Sequence, residues 1–229
     1  MRYNELTFQG RNAVLEAFRS GKTIDKLFIL DGCQDGPIKS IVREAKKTDA
    51  IINYVDKERL DRLAGTGHHQ GVVAIGAAYE YAEVDDILAS AKEKGEDPFI
   101  FILDEIEDPH NLGAIIRTAN LAGAHGVIIP KRRAVGLTAT VAKTSAGAIN
   151  YTPVAKVTNI SQTIEELKKQ GLWFVCADMG GETMYNLNLK GPIGLVIGNE
   201  GNGVSRLVKD KCDSVSYTHL RAHETEADL

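Results

Sequence analysis

Phe99-Ile100-Phe101-Ile102-Leu103, followed directly by Asp104-Glu105-Ile106-Glu107-Asp108-Pro109-His110-Asn111-Leu112-Gly113-Ala114-Ile115-Ile116-Arg117-Thr118-Ala119-Asn120, decides how the 229-residue chain is read. The first five residues form an unbroken β-branched and aromatic run bounded by acids, the pattern of a strand buried on both faces in a parallel sheet. Pro109 and Asn111 then open a helix and place Asn111 at its mouth. Along that helix Leu112, Ala114, Ile115, Ile116, Ala119, Leu121 and Ala122 are apolar and mostly small. Arg117 is therefore expected to be the one charge on a buried element, needing an anionic or multi-acceptor partner.

Outward from this stretch the same alternation recurs. Before it, strands are expected at Lys26–Leu30, Ile51–Val55 and Gly71–Ile75, with helices over Ala13–Phe18, Pro37–Lys47 and Lys57–Ala64. Together they make a compact α/β module over residues 1–78. Residues 79–97 carry 2 basic against 7 acidic side chains and read as a charged linker with a short helix. A second module over 98–213 continues with strand 126–129, small-residue helix 138–148, helix 160–170, and strands 172–177 and 193–197. Strands alternating with helices predict a parallel sheet covered on both faces.

Composition narrows the function classes. With 27 basic and 31 acidic residues the net charge is −4, which argues against a generally basic surface, although the acidic excess sits in the linker. Cys33, Cys176 and Cys212 are too few and too dispersed for a disulfide framework or a cysteine zinc site, so a reducing cytoplasm is expected. Met1–Glu5 has no signal-peptide core, and no apolar run approaches membrane-spanning length, so no membrane partner is expected. His68 and His69 lie in the polar loop Gly65–Gly71; adjacent histidines point to different sides and no third ligand is near, so an RNA-contacting or structural loop is favoured over a metal site.

The last strand runs into Gly198-Asn199-Glu200-Gly201-Asn202-Gly203-Val204-Ser205. In parallel sheets ligands lie beyond the carboxyl ends of strands, so this turn and the 104–111 loop are expected to wall one pocket. The glycine spacing is not G-x-G-x-x-G and no Walker A sequence occurs, which disfavours the usual dinucleotide and ATP folds. A purely structural turn remains the alternative for the glycines. For Arg117 the alternative is a salt bridge to Asp104 or Glu107.

Two motifs together are more specific. N-L-G-A-I-I-R-T-A, with Asn111 and Arg117, followed about eighty residues later by L-V-I-G-N-E-G-N-G-V, resembles motifs one and two of the SpoU (TrmH-like) branch of the SPOUT RNA 2′-O-ribose methyltransferases. G-R-N-A-V-L-E-A and G-H-H-Q-G-V-V-A make the first module similar to that family's small RNA-binding domain, of L30e/L7Ae-like α/β fold. The resemblance covers residues 1 to about 213 and is greatest to the RlmB type, which methylates a guanosine ribose of 23S ribosomal RNA.

The resemblance implies a SPOUT α/β-knot domain binding S-adenosyl-L-methionine, methyl transfer to a ribose 2′-hydroxyl, and a homodimer sharing its active sites. It makes Asn111, Arg117 and Glu200 catalytic, and Gly198 with Ile197 and Asn199 cofactor-binding. By position, Ala177 and Met179 join the cofactor wall, and Arg11, His68, Lys131, Arg132 and Arg133 are RNA phosphate contacts. Such a displacement depends chiefly on alignment and on removing the hydroxyl proton. Free guanidinium has a pKa above about 12, so Arg117 is read as a bidentate phosphate clamp, with any base role relayed through an RNA phosphate. Glu200 is read as positioning Arg117 or closing the dimer interface. Two alternatives stay open: a non-catalytic RNA-binding protein, or a nucleotide-dependent enzyme using 198–203; a transfer-RNA substrate is a variant of the first reading.

After Cys212-Asp213 the family continues with a short strand and a third motif that completes the cofactor pocket and threads the knot. Residues 214–229 here, ending Tyr217-Thr218-His219-Leu220-Arg221-Ala222-His223-Glu224-Thr225-Glu226-Ala227-Asp228-Leu229, lack that motif and resemble a reading frame of a transposon sequencing adapter. The expectation is a truncated domain with an incomplete knot, weak cofactor binding and negligible activity. His223-Glu224 begins no zincin motif, because Ala227 stands where the second histidine is needed.

Overall fold

The computed structural model describes residues 6–48, 50–65 and 67–217. Met1–Glu5 and the tail from Thr218 onward, with His219, His223 and Glu224, lie outside the described residues. Contacts divide the chain into two units, residues 1–80 with 135–146, and residues 81–134 with 147–229.

In the first unit, β1 (Leu6–Gln9), β2 (Ile24–Leu30), β3 (Ile51–Val55) and β4 (Val72–Gly76) form a mixed sheet in the order β1-β4-β2-β3. Helices α1 (Arg11–Arg19), α2 (Gly36–Lys47) and α3 (Lys57–Ala64) connect the strands. Their limits follow local chemistry. Asp35 accepts from Ile38 N and Asp56 from Arg59 N, capping α2 and α3, and Gly65 ends α3 at φ 64°. The apolar faces of α1 and α2, with Val14, Phe18, Ile38 and Ile41, close over Leu27, Ile29 and Val72.

In the second unit, β5 (Phe99–Leu103), β6 (Gly126–Pro130), β7 (Val154–Val157), β8 (Trp173–Thr183), β9 (Ile193–Ile197) and β10 (Ser214–Tyr217) make a parallel sheet in the order β10-β8-β9-β5-β6-β7. Around it stand α4 (Val84–Lys94), α5 (Pro109–Leu121), α7 (Ile160–Lys169) and the short α8 (Arg206–Lys209); α6 (Ala139–Thr144) falls in the segment grouped with the first unit. The core is Ile87, Ile100, Ile102, Ile128, Ile164, Leu167, Phe174 and Val196. Core side chains leave no room beside two of the glycines: a Cβ at Gly126 would meet Ile87 Cδ1 at 2.6 Å, and one at Gly194 would meet Phe174 Cε1 at 2.1 Å.

Three expectations change. The stretch 79–97 is not only a linker, because α4 buries Ile87 completely in the second core and Ala82 N donates to Val154 O at 2.9 Å. The small-residue helix placed in the second module is short, and Ala78 N donates to Leu137 O at 2.7 Å, which ties its approach to the first unit. Residues 214–217, for which no strand was expected, form a sixth strand: β10 adds to β8, with its register shifting between Val215 and Ser216.

Candidate active site at four strand ends

The strand order sets four loops side by side. Leu103 of β5 and Ala177 of β8 both pair with Ile197 of β9, and Ile128 of β6 pairs with Ile102 of β5. The carboxyl edge of the sheet therefore brings together the bulged stretch 177–181 within β8 and the loops 198–205, 104–108 and 131–133, the position where parallel sheets hold ligands.

Two consecutive residues after β5 fix the glycine turn. Asp104, 6% exposed, takes Ser205 N at 2.8 Å on Oδ2 and gives its own N–H to Ile197 O at 2.8 Å. Glu105 O accepts from Asn199 Nδ2 at 3.0 Å. Within the turn, Asn199 Oδ1 accepts from Gly201 N and Asn202 N at 2.9 and 3.3 Å, and Asn199 and Gly203 exchange both main-chain bonds. Gly198 is required here, because a Cβ would stand 2.2 Å from Gly203 C and Val204 N. The expected proximity of the 104–111 loop and this turn is present, and the Asn199 side chain is spent on holding the turn together.

The bulging end of β8 is tied in separately. Asp178 Oδ2 meets Lys209 Nζ at 2.6 Å while Asp178 Oδ1 takes Met179 N at 2.7 Å. The Lys209 ammonium holds the Asp178 carboxyl below the usual carboxylate range, and that carboxylate raises the amine above the usual lysine range. A Cβ at Gly203 would come 3.2 Å from Asp178 Oδ1, so this carboxylate also borders the glycine turn. Met179 is 87% exposed and Ala177 is also exposed.

Arg117 corrects the sequence reading. It is exposed, not buried: the stripe of α5 facing the core runs through Leu112, Ile116 and Ala119, and residue 117 lies about 100° around the helix from 116. Neither Asp104 nor Glu107 pairs with it, and among the described residues its guanidinium has no hydrogen bond or ion pair. Glu200 is exposed at the turn, and Asn111 is half-buried in the first turn of α5 behind the Asp108 cap, which accepts from His110 N at 3.0 Å.

The basic candidates differ among themselves. Arg132 is exposed, Lys131 half-buried, and Arg133 reaches Glu105 Oε1 at 2.9 Å. In the first unit Arg11 is structurally committed: Nη2 donates to Asp35 Oδ2 at 2.5 Å and Nε to Gln70 O at 3.2 Å. His68 is exposed, whereas His69 is buried, taking Gly71 N on Nδ1 at 3.0 Å and meeting Asp61 Oδ1 through Nε2 at 3.0 Å. Because Nδ1 accepts, Nε2 carries the proton. Among the described residues no group of three His, Cys, Asp or Glu side chains is placed to hold a metal ion. Sequence reasoning missed Asp104, Ser205 and the Asp178–Lys209 pair; an acid directly after a buried strand was the one available signal.

The parallel sheet with its loops gathered at the carboxyl edge is an α/β fold shared with solved methyltransferases. The AviRb SpoU methyltransferase of Streptomyces viridochromogenes superposes with a TM-score of 0.57 at 22% identity, covering 95% of this chain and 80% of that one. An AdoMet-bound rRNA methyltransferase from Sinorhizobium meliloti superposes with a TM-score of 0.53 at 21% identity, covering 93% and 77%. Sequence gives the closer assignment. The profile of the SpoU rRNA methylase family matches residues 98–223, and that of the RNA 2′-O ribose methyltransferase substrate-binding domain matches residues 9–82. YacO of Bacillus subtilis, named for the TrmH family of tRNA/rRNA methyltransferases, is 53% identical over 205 residues, 89% of this chain and 82% of its own. A Staphylococcus haemolyticus protein named for the same family is 49% identical over 210 residues, 91% and 84% of the two chains. The chain belongs to the SpoU/TrmH family of RNA methyltransferases.

Proposed function

We propose that this cytoplasmic protein transfers a methyl group from S-adenosyl-L-methionine to a ribose 2′-hydroxyl of RNA, a guanosine of 23S ribosomal RNA. The observation that carries the reading is the clamped turn 198–205 beside the mouth of α5, with an unengaged Arg117 on the same helix. Unpaired among the described residues, its planar guanidinium is free to take a phosphate bidentately.

The residues present fit the cofactor. Where a Cβ at Gly201 would stand, only the Asn199 amide oxygen is near, at 3.5 Å, so the outer side of the turn is open main chain. Ile197, Gly198 and Gly201 would hold the cofactor on that side, with Ala177 and the Met179 thioether opposite. The bound cofactor supplies an electrophilic methyl on a sulfonium. Arg117 pairs bidentately with an RNA phosphate and so orients the neighbouring ribose, and the hydroxyl proton leaves through that phosphate. Asn111 is within the first turn of α5 to accept or donate to the ribose, and Glu200 stands at the turn to align Arg117 or meet a second subunit. Arg132, Lys131 and His68 add phosphate contacts, whereas Arg11 acts by bracing its loop.

A homodimer is part of the same reading. Leu121 at the end of α5 and Tyr151 after the neighbouring turn are 82% and 81% exposed, large apolar groups suited to a partner surface.

The test is a ribose-methylation map of ribosomal and transfer RNA from the source strain with its gene deleted. Loss of one 2′-O-methylguanosine in 23S RNA supports the reading, loss in a transfer RNA moves the substrate, and an unchanged map overturns it.

A further inference from the structure

Four non-glycine residues of the described chain hold positive φ, and two of them, Glu105 at 57° and Arg133 at 55°, are joined by an ion pair. Neither side chain favours the left-handed region, so both loops are held in place against their local preference. Glu105 is held through its carbonyl, which takes Asn199 Nδ2 from the glycine turn at 3.0 Å. Arg133 is held by the carboxylate of Glu105 at 2.9 Å, and Asp104 and Glu107 add to the field that keeps the guanidinium charged. The pair is superficial, Arg133 being 77% exposed, so its two charges bind each other weakly in water.

We infer that the acidic loop 104–108 occupies Arg133 as a surrogate for an RNA phosphate, so that the phosphate-binding site at the end of β6 is masked by Glu105 until RNA displaces it. A phosphodiester offers the guanidinium the same planar, bidentate acceptor geometry as a carboxylate. Exchange would free the Glu105 carboxylate, while its carbonyl stays bonded to Asn199 Nδ2 and keeps the main chain of the loop in place. This rests on the RNA-substrate reading but adds a residue that opposes binding.

The test is fluorescence anisotropy of a fluorescein-labelled stem-loop RNA with the full chain and the variants Glu105→Gln, Glu107→Gln, Arg133→Ala and Glu105→Gln/Arg133→Ala. Each variant is first shown to melt within a few degrees of the parent. Unmasking one phosphate contact is expected to tighten binding several-fold in Glu105→Gln at about 50 mM salt and to steepen the salt dependence by about one counterion. The gain should vanish in the double variant and be absent in Glu107→Gln, which removes the same charge without touching Arg133. Equal gains in Glu105→Gln and Glu107→Gln, a gain that survives Arg133→Ala, or no gain at all overturns the inference while leaving the RNA reading intact. No binding by the parent overturns both.

Discussion

The glycine turn and the outward face of α5 lie in the same unit and are built on opposite terms. In the turn most groups are committed: Asp104 holds Ser205, Asn199 holds three neighbours, and Gly198 admits no side chain, while Glu200 stands exposed. On α5 the candidate group has none: Arg117 is exposed and unpaired among the described residues. Residues spent on internal bonds define the wall of a site, and those left unspent are available to what enters it. A list of family positions does not make that distinction, and the geometry does.

Substitutions at the committed positions of the turn should therefore lower stability, while those at the exposed Arg117 and Glu200 should spare it. Gly198→Ala is expected to have the largest effect, costing about 3 kcal/mol or leaving the chain insoluble, because main chain occupies the space a Cβ needs; chemical denaturation of soluble protein measures it. Asp104→Ala leaves the Ser205 N–H without its acceptor and should cost roughly 1–3 kcal/mol, with Asp104→Asn recovering most of that because an amide oxygen can still accept.

Asp178→Asn should cost less, on the order of 2 °C in melting temperature at neutral pH. Its pH dependence has a definite sign. The Asp178 carboxyl is lowered by Lys209, so its contribution is present above the ordinary carboxylate value of about 4 and lost as pH falls through the lowered value. The Lys209 amine is raised by Asp178, so its contribution is present below about 10.4 and lost as pH rises through the raised value. The difference between parent and variant should stay level between these limits and shrink at both ends; a difference that grows in acid breaks the assignment. Arg117→Ala and Glu200→Ala should be the quietest, within about 0.5 kcal/mol of the parent in denaturation.

Much of the fold was legible because its strongest strands are short runs rich in β-branched and aromatic residues. Ile51–Val55, Phe99–Leu103 and Ile193–Ile197 have the limits their sequence indicates. The strands that were missed, Leu6–Gln9, Val154–Val157 and Ser214–Tyr217, are four residues long and take their conformation from the neighbours they pair with. In α4 the spacing Val84, Ile87, Leu88, Ala91 is that of a core-facing helix, but the surrounding acids suggested a solvated linker. The loop after β5 and the glycine turn were legible as neighbours. The surroundings of Arg117 were not, because apolar composition along a helix does not say on which side a given residue falls. Nor was Glu105 visible as the partner of Arg133, since the contact joins loops 28 residues apart.

The most direct test places Arg117→Ala in the chromosomal gene of the source strain, measures how much of the protein accumulates, and maps ribose methylation. The expected result is normal accumulation with the same 2′-O-methyl group missing as in the deletion strain. Full methylation at normal protein levels would show that the exposed guanidinium takes no part in the reaction and would contradict the account.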